Sequence, residues 1–211
     1  MTMHYYSRNP QAESRHATVI YNLSNGSPIP RQIAFITDSG VFSRDRVDFG
    51  TDLLIRSLPP LGGRALDLGC GYGAAGISLA LLNPGVEMWF SDINERAVEL
   101  CRENYSNIVA QSAKSLSVPI DKRVKCSEGL VEFDDLQFDS IITNPPVRAG
   151  KSKIFQLYGE AYGHLLNGGA LYVVIQKKQG MQSTHKELER LFGNCKDIAR
   201  KAGYHVLQAI K

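Results

Sequence analysis

The chain has 211 residues, of which 43% are hydrophobic, 21% charged and 9% aromatic, with a formal net charge of +3. That balance excludes disorder as the main state, and no run approaches the ~18 continuous apolar residues of a membrane span. The start of the chain carries no apolar leader, so a soluble cytoplasmic protein without membrane contact is expected. Cys70, Cys101, Cys126 and Cys195 form no C-x-x-C pair and have no histidine at zinc-finger spacing, so neither disulfides nor a metal site is expected. Charge is uneven along the chain: +2 over 1–64, −6 over 65–144 and +7 over 145–211. A basic tail after an acidic middle suits either one positive face for a polyanion or a scattered solvated surface.

Two alternating segments, 17–23 and 31–36, flank a Gly/Pro-rich turn and predict a β-hairpin. From residue 64 the pattern alternates strand and helix. Strands are expected over 64–68, 86–91, 124–127, 138–143 and 170–175, and helices over 73–82, 153–166 and 183–192. A further helix follows Asn94 as its N-cap, with Val98, Cys101 and Tyr105 on one face. Two closing strands, 194–199 and 204–210, are separated by Lys201-Ala202-Gly203. Such alternation predicts an α/β fold: a Rossmann-like doubly wound sheet, mostly parallel, with an antiparallel C-terminal hairpin. The organisation read from this pattern is an N-terminal hairpin extension over 1–48 and an α/β domain over 49–211.

Leu66-Asp67-Leu68-Gly69-Cys70-Gly71-Tyr72-Gly73 places three alternate glycines between a strand and a helix, where the chain must turn sharply and let a ligand approach the backbone. Asp92 follows Gly71 by 21 residues, the spacing at which an acid at the end of the next strand accepts hydrogen bonds from both ribose hydroxyls. Gly69, Gly71 and Ala74 also satisfy a dinucleotide fingerprint. Asp67 argues against that ligand, since its carboxylate would repel a pyrophosphate and attract the ammonium of a methionine moiety.

The fourth strand of the α/β region ends in Asn144-Pro145-Pro146-Val147-Arg148, beyond the carboxyl edge where ligands bind in open α/β sheets. A residue before proline is held extended, so the prolines fix the direction of Asn144. An amide oxygen and a nearby free carbonyl are two acceptors for the two hydrogens of a planar exocyclic amine. Arg148, Lys151 and Lys153 suit phosphate contacts or form a solvated basic loop.

Asp-Leu-Gly-Cys-Gly-Tyr-Gly with the later Asp-Ile-Asn resembles the first two motifs of class I S-adenosylmethionine-dependent methyltransferases. The resemblance implies that Asp67 and the backbone of Gly69, Cys70, Gly71 and Gly73 hold the methionine end of S-adenosylmethionine. It places the Asp92-Ile93-Asn94 stretch at the nucleoside, with Asp92 at the ribose and Ile93 against the adenine, and Ser127 near the adenine amine. Asn144, Pro145 and Pro146 are then the catalytic segment, methylating an amine without a metal. Many relatives that methylate such nitrogens carry an aromatic residue where Val147 stands, which argues against a DNA-adenine or protein-glutamine substrate.

Asp38-Ser-Gly-Val-Phe-Ser-Arg-Asp-Arg-Val-Asp48, together with Asn-Pro-Pro-Val-Arg-Ala-Gly-Lys, resembles the RsmC-like small-domain family of small-subunit ribosomal RNA guanine-N2 methyltransferases. The match runs from His4-Tyr5-Tyr6-Ser7 to Gly203-Tyr204. It implies ribosomal RNA or the small ribosomal subunit as partner. The family's guanine enzymes carry a second domain copy before the catalytic one, and its absence here points to a homodimer or a separate partner. Phe42, Val147, Arg148 and Lys151 are the implied substrate contacts, Phe42 being either a stacking plate over the pocket or a buried anchor of the hairpin. Gly50 and Thr51 open a helix whose amides could reach the cofactor carboxylate. Asp48 is either a proton acceptor or a helix cap. The alternatives to the RNA reading are amide-nitrogen or DNA-adenine methylation, and an RNA-binding assembly factor without activity.

Overall fold

A computed structural model describes residues 7–8, 13–24, 31–109 and 118–211. The His4-Tyr5-Tyr6 start of the motif match and the 25–30 turn of the hairpin lie outside them. Strands β1 (Ala17–Leu23) and β2 (Arg31–Thr37) pair antiparallel, with alternate residues buried. Helix α1 (Phe49–Ser57) then leads into β3 (Arg64–Leu68), α2 (Ala74–Leu82), β4 (Glu87–Asp92) and α3 (Glu95–Ile108). A single helical turn, α4 (Ile120–Arg123), precedes β5 (Val124–Cys126) and β6 (Phe138–Thr143). Helix α5 (Lys151–His164), β7 (Leu165–Gln176), α6 (Met181–Phe192), β8 (Lys196–Lys201) and β9 (Tyr204–Ile210) complete the chain.

The main sheet has seven strands in the order β5-β4-β3-β6-β7-β9-β8, with β3 to β7 parallel and β9 antiparallel to both of its neighbours. This is the Rossmann-like arrangement with an antiparallel closing hairpin that the alternation predicts. Its faces are covered separately. Ala170, Tyr172 and Val174 of β7 join α1, α2, α3 and the N-terminal hairpin, while Leu171, Val173 and Ile175 face α5 and α6. Period-two burial on both faces explains why the strand reads as a continuous apolar run.

The clearest departures from expectation are at α5, β7 and α4. Helix α5 stops at His164, two residues early, because Leu165 enters the sheet opposite Phe138 and is fully buried there. Asn167-Gly168-Gly169 is therefore an irregularity within β7, where the register shifts before Ala170 pairs with Ser140, and not a helix stop. The α4 turn was not anticipated because four residues carry no helical period.

The hairpin is fastened to the sheet domain by Asn104 of α3, which is 1% exposed. Its Oδ1 accepts the Ile36 N–H at 2.8 Å, while Nδ2 donates to the Ile36 carbonyl at 2.8 Å and to the Tyr72 carbonyl at 2.9 Å. One amide thus satisfies the outer edge of β2 and steadies the glycine loop. Asn104→Ala removes the partner of three backbone groups, two of them part-buried at Ile36 and one buried at Tyr72, and is expected to cost about 2–4 kcal/mol. Urea unfolding measures this, and an unshifted midpoint would show that the hairpin is not held through Asn104.

Candidate active site

The β3–β6 pair sets the location. Leu68 lies opposite Thr143, so the glycine loop and Asn144 leave the sheet side by side, at the point where strand order reverses. A cleft of about 640 Å³ opens there. Its walls come from the carboxyl ends of β3, β4, β6 and β7, from the turn at 42–43, and from the start of α1.

The glycine loop is closed by its neighbours. Gly69 and Cys70 donate their N–H groups to the Ser91 carbonyl at 2.8 and 2.9 Å. Gly69 and Gly71 have φ of +78° and +55°, and a Cβ on either would meet nothing within 4 Å. Both require glycine for conformation and present bare backbone to open space. Gly73 differs. It begins α2 with φ +93°, and a Cβ there would strike Ile77 and Cys101, so it serves helix packing and does not line the cleft.

Two carboxylates face this loop. Asp67, 3% exposed, accepts the Gly76 N–H at 2.7 Å through Oδ2, and its Oδ1 makes no hydrogen bond among the described residues. Burial lifts Asp67 to about 7, the Gly76 bond opposes this, and the charge of Asp92 adds to it. Asp92 accepts the Gly71 N–H at 2.8 Å and the Asn94 N–H at 2.9 Å. It too is pushed upward by burial, against the N–H bonds it receives. Tyr72 adds a phenol hydroxyl that is buried without a partner among the described residues, although the residue lines the cleft.

Across the cleft, Asn144 is held by α1. Its Nδ2 donates to Asp48 Oδ2 at 3.2 Å and to Thr51 Oγ1 at 3.1 Å. A carboxylate only accepts, so the amide nitrogen must face Asp48 and the amide oxygen turns away. That oxygen makes no hydrogen bond among the described residues. The same Asp48 Oδ2 accepts the Gly50 N–H at 2.9 Å and the Thr51 N–H at 3.4 Å, capping α1. Asp48 is thus a cap and also a partner of Asn144. The two α1 amides proposed from sequence for a cofactor carboxylate are already engaged by Asp48, and Thr51 contributes its hydroxyl instead.

Asn94 lines the cleft, but its side chain is committed elsewhere. It caps α3 through bonds from Arg96 and Ala97, and donates to the Gly40 carbonyl at 2.8 Å. Arg96 donates to the Ser39 carbonyl at 2.6 Å. Together they dock the 39–43 turn on α3, with Val41 buried beneath and Phe42 48% exposed at the cleft rim. Val41, not Phe42, is the buried anchor. Ser127 lines the cleft while its N–H donates to the Asp92 carbonyl at 2.9 Å.

Ile93, Pro145, Pro146, Val147 and Arg148 also line the cleft, whereas Lys151 does not and lies with Nζ 5.1 Å from the Phe155 ring. Lys153 reaches the lining and pairs with Glu128. Tyr204 and Gln179 join the site without any sequence signal; Tyr204 arrives through the antiparallel return of β9, its ring 2.9 Å from where a Gly50 Cβ would stand. Tyr72 could have been suspected, since it stands between two loop glycines. No group of three or more metal-ligating side chains occurs among the described residues, and none of their helices is long and apolar enough to cross a membrane.

This architecture and site define a class I methyltransferase of the RsmC-like type. The methyltransferase small domain family matches residues 32–208, and the chain belongs to that family. It is 38% identical over 213 residues to YbxB of Bacillus subtilis (strain 168), covering 100% of both chains. It is 31% identical to the ribosomal RNA large subunit methyltransferase G of Stutzerimonas stutzeri (strain A1501), covering 85% of this chain and 47% of that protein. With the ribosomal RNA small subunit methyltransferase C of Vibrio cholerae the identity is 33%, over 77% and 44% of the two chains. The chain therefore spans a little under half the length of these two RNA methyltransferases. Among solved structures, the T. thermophilus 16S rRNA N2 methyltransferase RsmC, in complex with AdoMet and guanosine, aligns with a TM-score of 0.74 at 24% identity. That alignment covers 93% of this chain and 50% of the other.

The raised Asp67 carboxyl has a measurable consequence. The folded protein holds this proton more tightly than the unfolded chain, so folding takes up a proton between about pH 4 and pH 7, and stability declines as pH rises through that window. Asp67→Asn keeps an acceptor for the Gly76 N–H and removes the buried charge. The unliganded variant is expected to melt above the parent at pH 8, with the gap shrinking as pH falls to 5. A pH-independent gap would show that Asp67 ionisation does not bear on stability.

Proposed function

We propose that this protein transfers a methyl group from S-adenosylmethionine to an exocyclic amino group of a base in RNA, a guanine of small-subunit ribosomal RNA being the first candidate. The observation that carries the reading is the orientation of Asn144, whose nitrogen is tied down by Asp48 and Thr51 so that its oxygen is left to accept. A second acceptor follows from the prolines. The Pro146 carbonyl is taken by the Ala149 N–H at 2.8 Å, which leaves the Pro145 carbonyl for the amine. Two acceptors in line with a strand end hold an amine by both hydrogens and draw its lone pair out of conjugation.

S-adenosylmethionine supplies the methyl on a sulfonium and leaves as a neutral thioether, so alignment and electrostatics suffice on the protein side. Asp67 Oδ1 suits the methionine ammonium, and the Tyr72 hydroxyl, without a partner among the described residues, suits its carboxylate in place of the α1 amides. Asp92 suits the ribose hydroxyls, Ile93 and Ser127 the adenine. Phe42 at the rim is a stacking plate for a flipped-out base, with Arg148 and Lys153 placed for phosphate. The guanine preference rests on the solved relative's guanosine and on the ribosomal RNA relatives.

The direct test offers the protein labelled S-adenosylmethionine with naked ribosomal RNA, small subunits, large subunits, DNA and protein, followed by nucleoside mass spectrometry. N2-methylguanosine in small-subunit RNA is the expected product, and label in DNA or protein alone would replace this reading. Asn144→Ala is expected to lower kcat by ~10²-fold or more with cofactor Kd unchanged, on the scale of a lost oriented acceptor. Asp92→Ala is expected to weaken cofactor binding by about 1.5–3 kcal/mol, the worth of a hydrogen bond to a charged group. Calorimetric titration measures it, and an unchanged Kd would remove Asp92 from the ribose.

A further inference from the structure

Asp48 comes from a segment 96 residues before Asn144, yet one of its oxygens binds both the start of α1 and the Asn144 amide. From this we infer that Asp48 is a positioning residue for the transfer step, one that sets which end of the Asn144 amide faces the substrate. The inference rests on the proposed role of Asn144.

An asparagine amide can present either its oxygen or its nitrogen, and the two ends have nearly the same shape. Only the oxygen accepts from an amine; the opposite orientation would direct two N–H donors at the substrate's own hydrogens. Thr51 cannot choose between the orientations, because a hydroxyl both donates and accepts. Asp48 can, because an ionised carboxylate offers no proton. The choice is backed by a rigid frame. Asp48 Oδ2 is held by two helix N–H groups, and α1 packs on β7 and β9 with the Tyr204 ring seated against Gly50. The carboxylate therefore cannot follow the amide if the amide turns. Asp48 Oδ1 makes no hydrogen bond among the described residues, so the helix N–H groups and the Asn144 amide converge on the one oxygen Oδ2.

The test separates capping from positioning. Asp48→Ser keeps a good N-cap for α1 but is too short to reach Asn144. The variant is expected to melt close to the parent, to bind S-adenosylmethionine and RNA with unchanged Kd, and to lose kcat by ten- to a hundred-fold. In an Asn144→Ala background the same change is expected to lower kcat no further, since there is no amide left to orient. An equal fractional loss in both backgrounds, or kcat within twofold of the parent in the single variant, would overturn the role of Asp48. Thr51→Val removes the second hold on the amide and leaves the Asp48 hold and the cap intact; it is expected to keep kcat within about threefold of the parent, and a loss as large as that of Asp48→Ser would overturn Asp48 as the residue that sets the orientation. If Asn144→Ala alone leaves kcat unchanged, the amine-binding reading itself fails, a result distinguishable from failure of Asp48.

Discussion

The parallel pairing of β3 with β6 is the constraint on which the site depends. These strands lie some seventy residues apart in the chain, and their register puts Leu68 opposite Thr143. From β3 the chain proceeds outward through β4 and β5; β6 begins the other half of the sheet. The loops leaving β3 and β6 therefore diverge, and the crevice between them is where an open α/β sheet has exposed backbone groups and room for a ligand. A slip of one residue would turn Asp67 away from the glycine loop and into the opposite core.

Around that crevice the polar groups are arranged by sign. Asp67 and Asp92 receive only backbone N–H groups from the chain, and burial raises both. Cationic side chains stay at the rim, where Arg148 and Lys153 border the opening. An acidic floor beneath Arg148 and Lys153 suits a cationic small molecule below a polyanionic one, and an arriving cation favours the ionised form of both buried carboxyls.

The 42–43 turn and the start of α1 form the remaining wall, and side-chain amides with several partners fasten this side of the molecule. Asn104 binds both edge groups of Ile36 together with the Tyr72 carbonyl. Asn94 caps α3 while holding the Gly40 carbonyl, which sets the turn that carries Phe42 to the rim. Asn144 completes the pattern at Asp48 and Thr51. In each case a short amide side chain joins segments that are distant in the chain, so they meet with few orphaned polar groups.

Much of this was legible in the linear sequence. Alternating periods of two and 3.6 located the strands and longer helices, because burial on one or both faces imposes those periods locally. The glycine loop, Asp92 and Asn-Pro-Pro were visible because turn geometry and strand ends constrain residue type at short range. What remained hidden was nonlocal. Whether Phe42 or Val41 is the buried residue depends on the bonds from Asn94 and Arg96, more than fifty residues downstream. The entry of Leu165 into the sheet depends on Phe138 opposite it. That the Thr51 amide is spoken for, that Asp48 meets Asn144, and that Tyr204 returns to the cleft are all consequences of strand order. The sequence by itself determined the elements and the chemical groups at their ends; the tertiary structure alone decided which groups share a hydrogen bond, because partnership depends on register and packing between segments that no local period connects.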